Sequence, residues 1–537
     1  MKGMHLSLRE KIGQMFMVGF YGTEPDEQVR DFIRDYHPGF VILFARNIRS
    51  IPQVIELTNS LHSRAVISPF LYVDQEGGTV VQFREMAATV ISHMGLAATG
   101  RPENAREASR ILGGELNACG FDGILAPVLD VNYQENNPII GIRSFSDDPE
   151  TVIRYASQFY QGLRESGLAG CGKHFPGHGG TLEDSHLAIP RVDISPEDFD
   201  RLCLQPFKVL AGRQIDAMIT SHVMFPEIDS ELTTFSVKLI QGILRGEWGF
   251  QGLVISDCLE MQAIKDKFSA EEIVTRGIRA GVDVFTVSHH LDFQKELADI
   301  LYFKIKKGRI EEKRLDRSLS RILALKNRYG LLQTRKIRDP ESDGKAVRSH
   351  LEQEKKLAGQ SITLVRDEQG LIPLRRNRRV LILEWQKVKA TQPLSQAEDR
   401  SMLEEMASRY FRQVEIRLLK LDGQVPEDFL ARLSGFEYVI AGLYSRNPDI
   451  AILQSRALNC IRKYRGDVIA VALGNPYDIS YLPGIQTYLA TYGFRRIQIE
   501  ALFKVLIGEI MASGTLPVHI HGIAQIRSGK KKAGNPY

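Results

Sequence analysis

The feature that most constrains this chain is a repeated alternation through its first 330 residues. Short, almost continuous apolar runs are separated by amphipathic stretches. The runs are 13–20 (GQMFMVGF), 39–44 (GFVILF), 70–74 (FLYVD), 124–131 (ILAPVLDV), 167–174 (GLAGCGKH), 216–225 (DAMITSHVMF), 252–257 (GLVISD) and 282–288 (VDVFTVS). Runs of this kind, bounded by Gly or Asp, suit strands buried on both faces, as in a parallel sheet. Between them, stretches such as 103–119, 149–165 and 195–210 open with a capping residue or a first-turn proline or acid. Eight strands with intervening helices predict an α/β fold, a (β/α)8 barrel over residues 1–330. A doubly wound sheet is the rival. No G-x-G-x-x-G follows the first strand, so a dinucleotide site is not expected.

A charged stretch over 331–349, including TRKIRDPESDGK, reads as a linker. A second alternation follows, with strand-like runs at 379–385, 436–444, 467–474 and 485–493 and helical stretches at 449–464 and 497–511. It predicts a smaller α/β sandwich domain over 350–520, then a tail over 521–537. The length of 537 residues accommodates both domains, and 43% hydrophobic with 25% charged residues is a globular balance. Lys plus Arg exceed Asp plus Glu by only four, so nucleic acid is not an expected partner. Cys119, Cys171, Cys203, Cys258 and Cys460 are scattered without a Cys-x-x-Cys pair, which fits a reducing compartment. Arg9, Glu10 and Lys11 interrupt the N-terminal apolar stretch, and no run approaches membrane-spanning length. The expectation is a cytoplasmic protein with no membrane partner.

Polar residues fall at one end of the runs. Asp74, Asp130, Lys173, His174, His222 and Asp257 all stand at or just beyond predicted strand C-termini. In a barrel those ends meet on one face, the face that carries active sites.

The densest chemistry is KHFPGHGGTLEDSH, residues 173–186. Its Gly and Pro residues place it on a long loop. A metal reading would use His174, His178, Asp184 and His186, but their spacing matches no common zinc pattern, and Lys173 puts a cation beside them. The competing reading is a dyad of Asp184 and His186. At i and i+2 in extended backbone both side chains point the same way, so the carboxylate can orient the imidazole and raise its basicity. Hydrogen bonding that merely stabilises the loop is the plain alternative. Further on, in VISDCLEM (254–261), Asp257 ends an apolar run and is either a structural ion-pair partner or a nucleophile. Glu260 is the rival carboxylate, and Asp257 is favoured because Glu260 falls past the strand end.

These segments carry a resemblance. YVDQEGG (72–78), GIRSF (141–145), KHFPGHGGTLEDSH (173–186), SHVMF (221–225) and VISDCLEM (254–261) stand in the order seen in glycoside hydrolase family three. They look most like its β-N-acetylglucosaminidase (β-hexosaminidase) branch. The resemblance covers most of residues 5–330; residues 350–520 resemble the family's C-terminal sandwich more weakly. It implies Asp257 as nucleophile, His186 with Asp184 as the acid/base pair, and sugar binding by Asp74, Arg143, Lys173, His174 and His222. Three positions depart from the branch. Thr79 stands where arginine usually follows DQEGG, Gly180 where the loop commonly has Asp, and Ile142 where GDRSF is usual.

The implied activity is a retaining exo-β-N-acetylglucosaminidase acting on a carbohydrate substrate, with cell-wall muropeptides among the implied sources, through a covalent glycosyl-aspartate. Neither a metal nor an organic cofactor is expected. Phosphorolysis of the same bond is an alternative, because a neutral histidine base does not repel an anionic acceptor. A broader β-glucosidase is another, although no second-domain glutamate motif supports it. An inactive sugar-binding protein is the alternative from another class, and retention of Asp184, His186 and Asp257 together argues against it.

Overall fold

The computed structural model describes residues 5–63, 67–182, 189–333, 337–386, 402–445 and 448–523. Two sheets organise it, with a small hairpin beside the first. The strands of the first are β1 (Phe16–Val18), β2 (Phe40–Leu43), β3 (Phe70–Val73), β4 (Gly123–Ile124), β5 (Ala169–Phe175) and β6 (Ala217–Thr220). The hairpin β7 (Met224–Phe225) and β8 (Asp229–Leu232) intervenes, and β9 (Leu253–Ser256) and β10 (Phe285–Val287) complete the set. The order is β10-β1-β2-β3-β4-β5-β6-β9, with every neighbouring pair parallel. A parallel bridge between Ile255 and Val284 links the two ends, so the sheet closes into a barrel.

The strands are buried along their whole length, as the unbroken apolar runs require. The helices Pro102–Ala118 and Pro149–Glu165 both begin with proline in the first turn, and Asp148 caps the second by accepting from the Thr151 N–H at 2.8 Å. The run at 216–225 proves to be two strands rather than one, because the chain turns out of the barrel after Thr220. The run at 124–131 pairs as a strand only over its first residue. Beyond it, a single bridge from Val128 to Lys173 continues the contact.

The second sheet comprises β11 (Thr363–Asp367), β12 (Arg379–Trp385), β13 (Gln413–Leu419), β14 (Tyr438–Leu443), β15 (Val468–Ala472) and β16 (Thr487–Ala490). Its order is β11-β16-β15-β14-β12-β13, with β11 antiparallel and the rest parallel. The sequence pattern missed β11 and β13, which are the two edges. Edge strands are covered on fewer sides, and the polar residues Glu415 and Arg417 interrupt the apolar signal of β13.

The second sheet's domain packs on the loops that follow β3 and β4. Ser92 Oγ donates to the Tyr492 carbonyl at 2.6 Å, and Arg495 Nε donates to the Gly78 carbonyl at 3.2 Å. Tyr481 Oη donates to Asn136 Oδ1 at 2.9 Å, and Ser146 Oγ donates to the Pro517 carbonyl. Those two loops carry Glu76 and Arg143, so the second domain braces one wall of the barrel mouth.

Candidate active site

Parallel strands deliver their C-terminal residues to one face, and the barrel does so here. Asp74 directly follows β3, Lys173 and His174 lie in the last three residues of β5, and His222 comes two residues after β6. Asp257 directly follows β9. Asp130 lies further beyond β4, but its carboxylate reaches back to β5, accepting from His174 Nδ1 at 2.8 Å and from the His178 N–H at 2.7 Å.

The centre of this face is a charge network. Lys173, 2% exposed, reaches Asp74 Oδ1 and Glu76 Oε1, each at 2.6 Å. Arg143 grips Glu76 with two parallel bonds, from Nε to Oε2 at 2.9 Å and from Nη2 to Oε1 at 2.7 Å. Its Nη2 also lies 3.4 Å from His174 Nε2. Two carboxylates thus balance two cations, the condition on which buried charges persist. Burial alone would raise the Glu76 carboxyl, but Arg143 and Lys173 outweigh it and hold it far below the usual carboxylate range. Burial also opposes the charge on Lys173, and Asp74 with Glu76 more than offset that, leaving its pKa raised. Asp74 differs: burial lifts its carboxyl against the pull of Lys173. Of this pair of acids, Asp74 is the one whose side chain keeps 26% exposure. It therefore remains reachable from the barrel mouth.

Glu76 lies inside YVDQEGG but is not among the residues that the sequence singles out. The signal available was an acid followed by two glycines just past a strand end. What identifies it is Arg143, 67 residues away in the chain.

Asp257 is half-buried, with its backbone N–H donating to the Thr220 carbonyl at 3.2 Å. Its Oδ1 accepts from the Cys258 N–H at 2.7 Å, which fixes the carboxylate relative to the strand end. Glu260 is engaged elsewhere. Its carboxylate, 3% exposed, accepts from the N–H groups of Ser288, His289 and His290 and from His290 Nδ1 at 2.7–2.9 Å. A carboxylate with four donors on it anchors the turn after β10 and has no lone pair to spare for attack. His222 sits beside Asp257's neighbour: its Nε2 meets the Cys258 carbonyl at 3.1 Å, and its Nδ1 meets Thr234 Oγ1 at 2.8 Å.

His178 is buried, and its Nδ1 meets Thr181 Oγ1 at 2.9 Å. Burial and then the neighbouring His174 push it down to about 4, so it is neutral near pH 7. Asp184 and His186 lie outside the described residues. The loop leading to them is shaped by Tyr133. A Cβ on Gly180 would stand 1.9 Å from Tyr133 Oη, so the departure at this position matches the space available. Ile142 is buried in the cluster it shares with Met94, Tyr477 and Tyr488, at the junction with the second domain.

The comparisons with known proteins fit this geometry. Residues 7–325 match the family model described as the glycosyl hydrolase family 3 N-terminal domain. A β-hexosaminidase A from Pseudoalteromonas piscicida is 28% identical, covering 93% of this chain and 92% of its own. A β-N-acetylglucosaminidase/β-glucosidase from Cellulomonas fimi is 27% identical over 95% and 93%. Among solved structures, a family 3 β-N-acetylglucosaminidase from Paenibacillus sp. str. FPU-7 superposes with a TM-score of 0.88 at 34% identity, covering 96% of this chain and 99% of that one. With its barrel matched almost end to end, and its second domain superposing as well, the chain belongs to glycosyl hydrolase family 3 and is a glycoside hydrolase.

Proposed function

We propose that this enzyme is a retaining exo-β-N-acetylglucosaminidase. In this reading Asp257 attacks the anomeric carbon of a terminal β-linked N-acetylglucosamine and forms a covalent glycosyl-enzyme. His186, oriented by Asp184, protonates the leaving oxygen and then takes the proton from the incoming water. Asp74, Lys173, Arg143 and His174 hold the sugar hydroxyls by charge-assisted hydrogen bonds, and His222 supports the strand end next to the nucleophile. The observation that carries the reading is the contrast between two neighbouring carboxylates. Asp257 stands at the barrel mouth with part of its surface open, whereas Glu260 is saturated by backbone donors.

The names of the Pseudoalteromonas and Paenibacillus relatives support the acetamido preference. Cell-wall muropeptide fragments offer the required terminal sugar and are the natural substrate class in this reading. The scattered cysteines, three of them buried, agree with a cytoplasmic setting. Cleavage of β-glucosides by the same groups is the second reading, favoured by the double name of the Cellulomonas relative.

One experiment tests both. kcat/KM is measured on matched aryl N-acetylglucosaminides and glucosides, with and without inorganic phosphate, and the glycosyl-enzyme is trapped with a slow fluorinated substrate. A site that hydrogen-bonds the acetamido group should prefer it by up to about 10⁴-fold. Comparable rates on the two sugars would favour the glucosidase, and a sugar phosphate product would establish phosphorolysis. A label on any acid other than Asp257 would overturn the nucleophile assignment.

A further inference from the structure

The strand end that carries Asp257 also gathers a set of groups that glycoside cleavage does not use. Cys258 follows Asp257 directly, Glu260 comes two residues later, and His289 belongs to the turn after β10. One ligand atom from each, namely the Cys258 sulfur, a Glu260 carboxylate oxygen and a His289 ring nitrogen, all lie within 4.8 Å of one another. The Cys258 thiol donates to Glu260 Oε2 at 3.8 Å, so these two groups already adjoin. A tetrahedral zinc ion, with bonds of about 2.0–2.3 Å, holds its donors roughly 3.3–3.8 Å apart. The cluster is therefore about 1 Å wider than a zinc donor set, and a shift of that size brings the three groups to coordinating distance.

The donor types are specific. Thiolate, imidazole and carboxylate together form a zinc set, whereas magnesium and calcium want oxygen alone. The surroundings also hold the donors in place. The three backbone N–H groups of residues 288–290 pin the Glu260 carboxylate, and His290 Nδ1 buttresses it from outside at 2.7 Å. His290 is 61% exposed, and by swinging away it frees a lone pair on Oε1, the carboxylate oxygen that would take the metal. Ser288 Oγ lies 3.3 Å from Cys258 Sγ, where its hydroxyl can donate to a thiolate. Phe44 stacks on the His289 ring with centroids 5.7 Å apart and limits its rotation. Support of this kind around the ligating groups is what tunes a metal site.

We propose that Cys258, Glu260 and His289 bind one zinc-class ion, with water in the fourth position, and that the bound ion inhibits the enzyme. The coupling is short. The Cys258 N–H is the donor to Asp257 Oδ1, so drawing the Cys258 side chain onto a metal moves the group that fixes the Asp257 carboxylate. A divalent charge one residue away also stabilises the carboxylate anion and weakens it as a nucleophile. Uptake of the ion displaces the thiol proton to solvent. The inhibition rests on Asp257 acting as proposed above; the binding site does not.

The test uses the full-length, chelator-treated enzyme with zinc and cobalt(II), and the variants Cys258→Ser and His289→Gln. One cobalt per chain should give a thiolate-to-cobalt charge-transfer band that Cys258→Ser loses. Each variant should weaken zinc binding at least about tenfold. The parent's kcat/KM should fall in step with zinc occupancy and recover with chelator. In the variants, each measured against its own metal-free rate, inhibition should need at least about tenfold more zinc. Absence of the charge-transfer band, or equal zinc affinity in parent and variants, overturns the site. Inhibition unchanged in Cys258→Ser overturns the link between site and activity. Binding without inhibition overturns the inhibitory role, and the fluorinated-sugar label then shows independently whether Asp257 is the nucleophile.

Discussion

Glu76 and Lys173, each 2% exposed, meet at 2.6 Å on the floor of the barrel mouth, joining the loop after β3 to the end of β5. Arg143 binds the same carboxylate, sharing Oε1 with Lys173 and holding Oε2 as well. Glu76 thus holds together the two cations proposed to bind the sugar.

Replacing Glu76 with Gln keeps the shape and removes the shared counter-charge. Leaving Asp74 as the one carboxylate against two buried cations should destabilise the protein by about 3 kcal/mol, measured as a shift in denaturant midpoint near pH 7. The carboxyl's pKa is lowered on folding, so the stability it supplies is present above its ordinary value of 4.5 and is lost as pH falls below it. Parent and variant should therefore converge in acid. Equal midpoints at pH 7 would mean the network contributes nothing to stability.

His186 is expected to matter according to the leaving group. His186→Ala should slow substrates with poor leaving groups by about 10²–10⁴-fold while sparing activated aryl glycosides, which need little protonation. Asp184→Asn should show the same pattern more weakly. Equal losses on both substrate types would reduce His186 to a loop-positioning role.

Gly180 and Tyr133 compete for the same space. Gly180→Asp should cut activity sharply, because its Cβ would stand 1.9 Å from Tyr133 Oη. Tyr133→Ala in the same chain should restore part of the loss. A double-mutant cycle on kcat/KM reads the coupling, expected at about 1–3 kcal/mol; additive effects would place Tyr133 elsewhere in solution.

Glu354 ties the second domain's approach to the barrel, accepting from the Thr89 N–H at 2.9 Å. Burial, with the nearby charge of Glu115 adding to it, raises the Glu354 carboxyl from 4.5 to about 7. The folded protein therefore keeps this proton between about pH 4.5 and 7 while the unfolded chain has lost it. Across that window its contribution to stability falls as pH rises, by up to about 3 kcal/mol in total. Glu354→Gln should remove this slope and be the more stable form at pH 8. Parallel pH profiles for parent and variant would show that Glu354 does not titrate there.

The sequence by itself determined the barrel strands, because a strand buried on both faces writes an unbroken apolar run into the chain. It also determined which residues stand at the strand ends, since that placement is local: Asp74, Lys173, His174 and Asp257 each follow or close such a run. Edge strands escaped it, as β11 and β13 did, because less burial leaves a weaker apolar signature. What only the tertiary structure decided is the pairing of charges and the division of labour among acids. Glu76 finds Arg143 from 67 residues away, and Glu260 meets His290 across 30 residues, contacts with no periodicity in the chain. Asp257 and Glu260 look alike in VISDCLEM. They part company only once β10 arrives beside β9 and its turn presents three backbone N–H groups that must be satisfied by the nearer carboxylate.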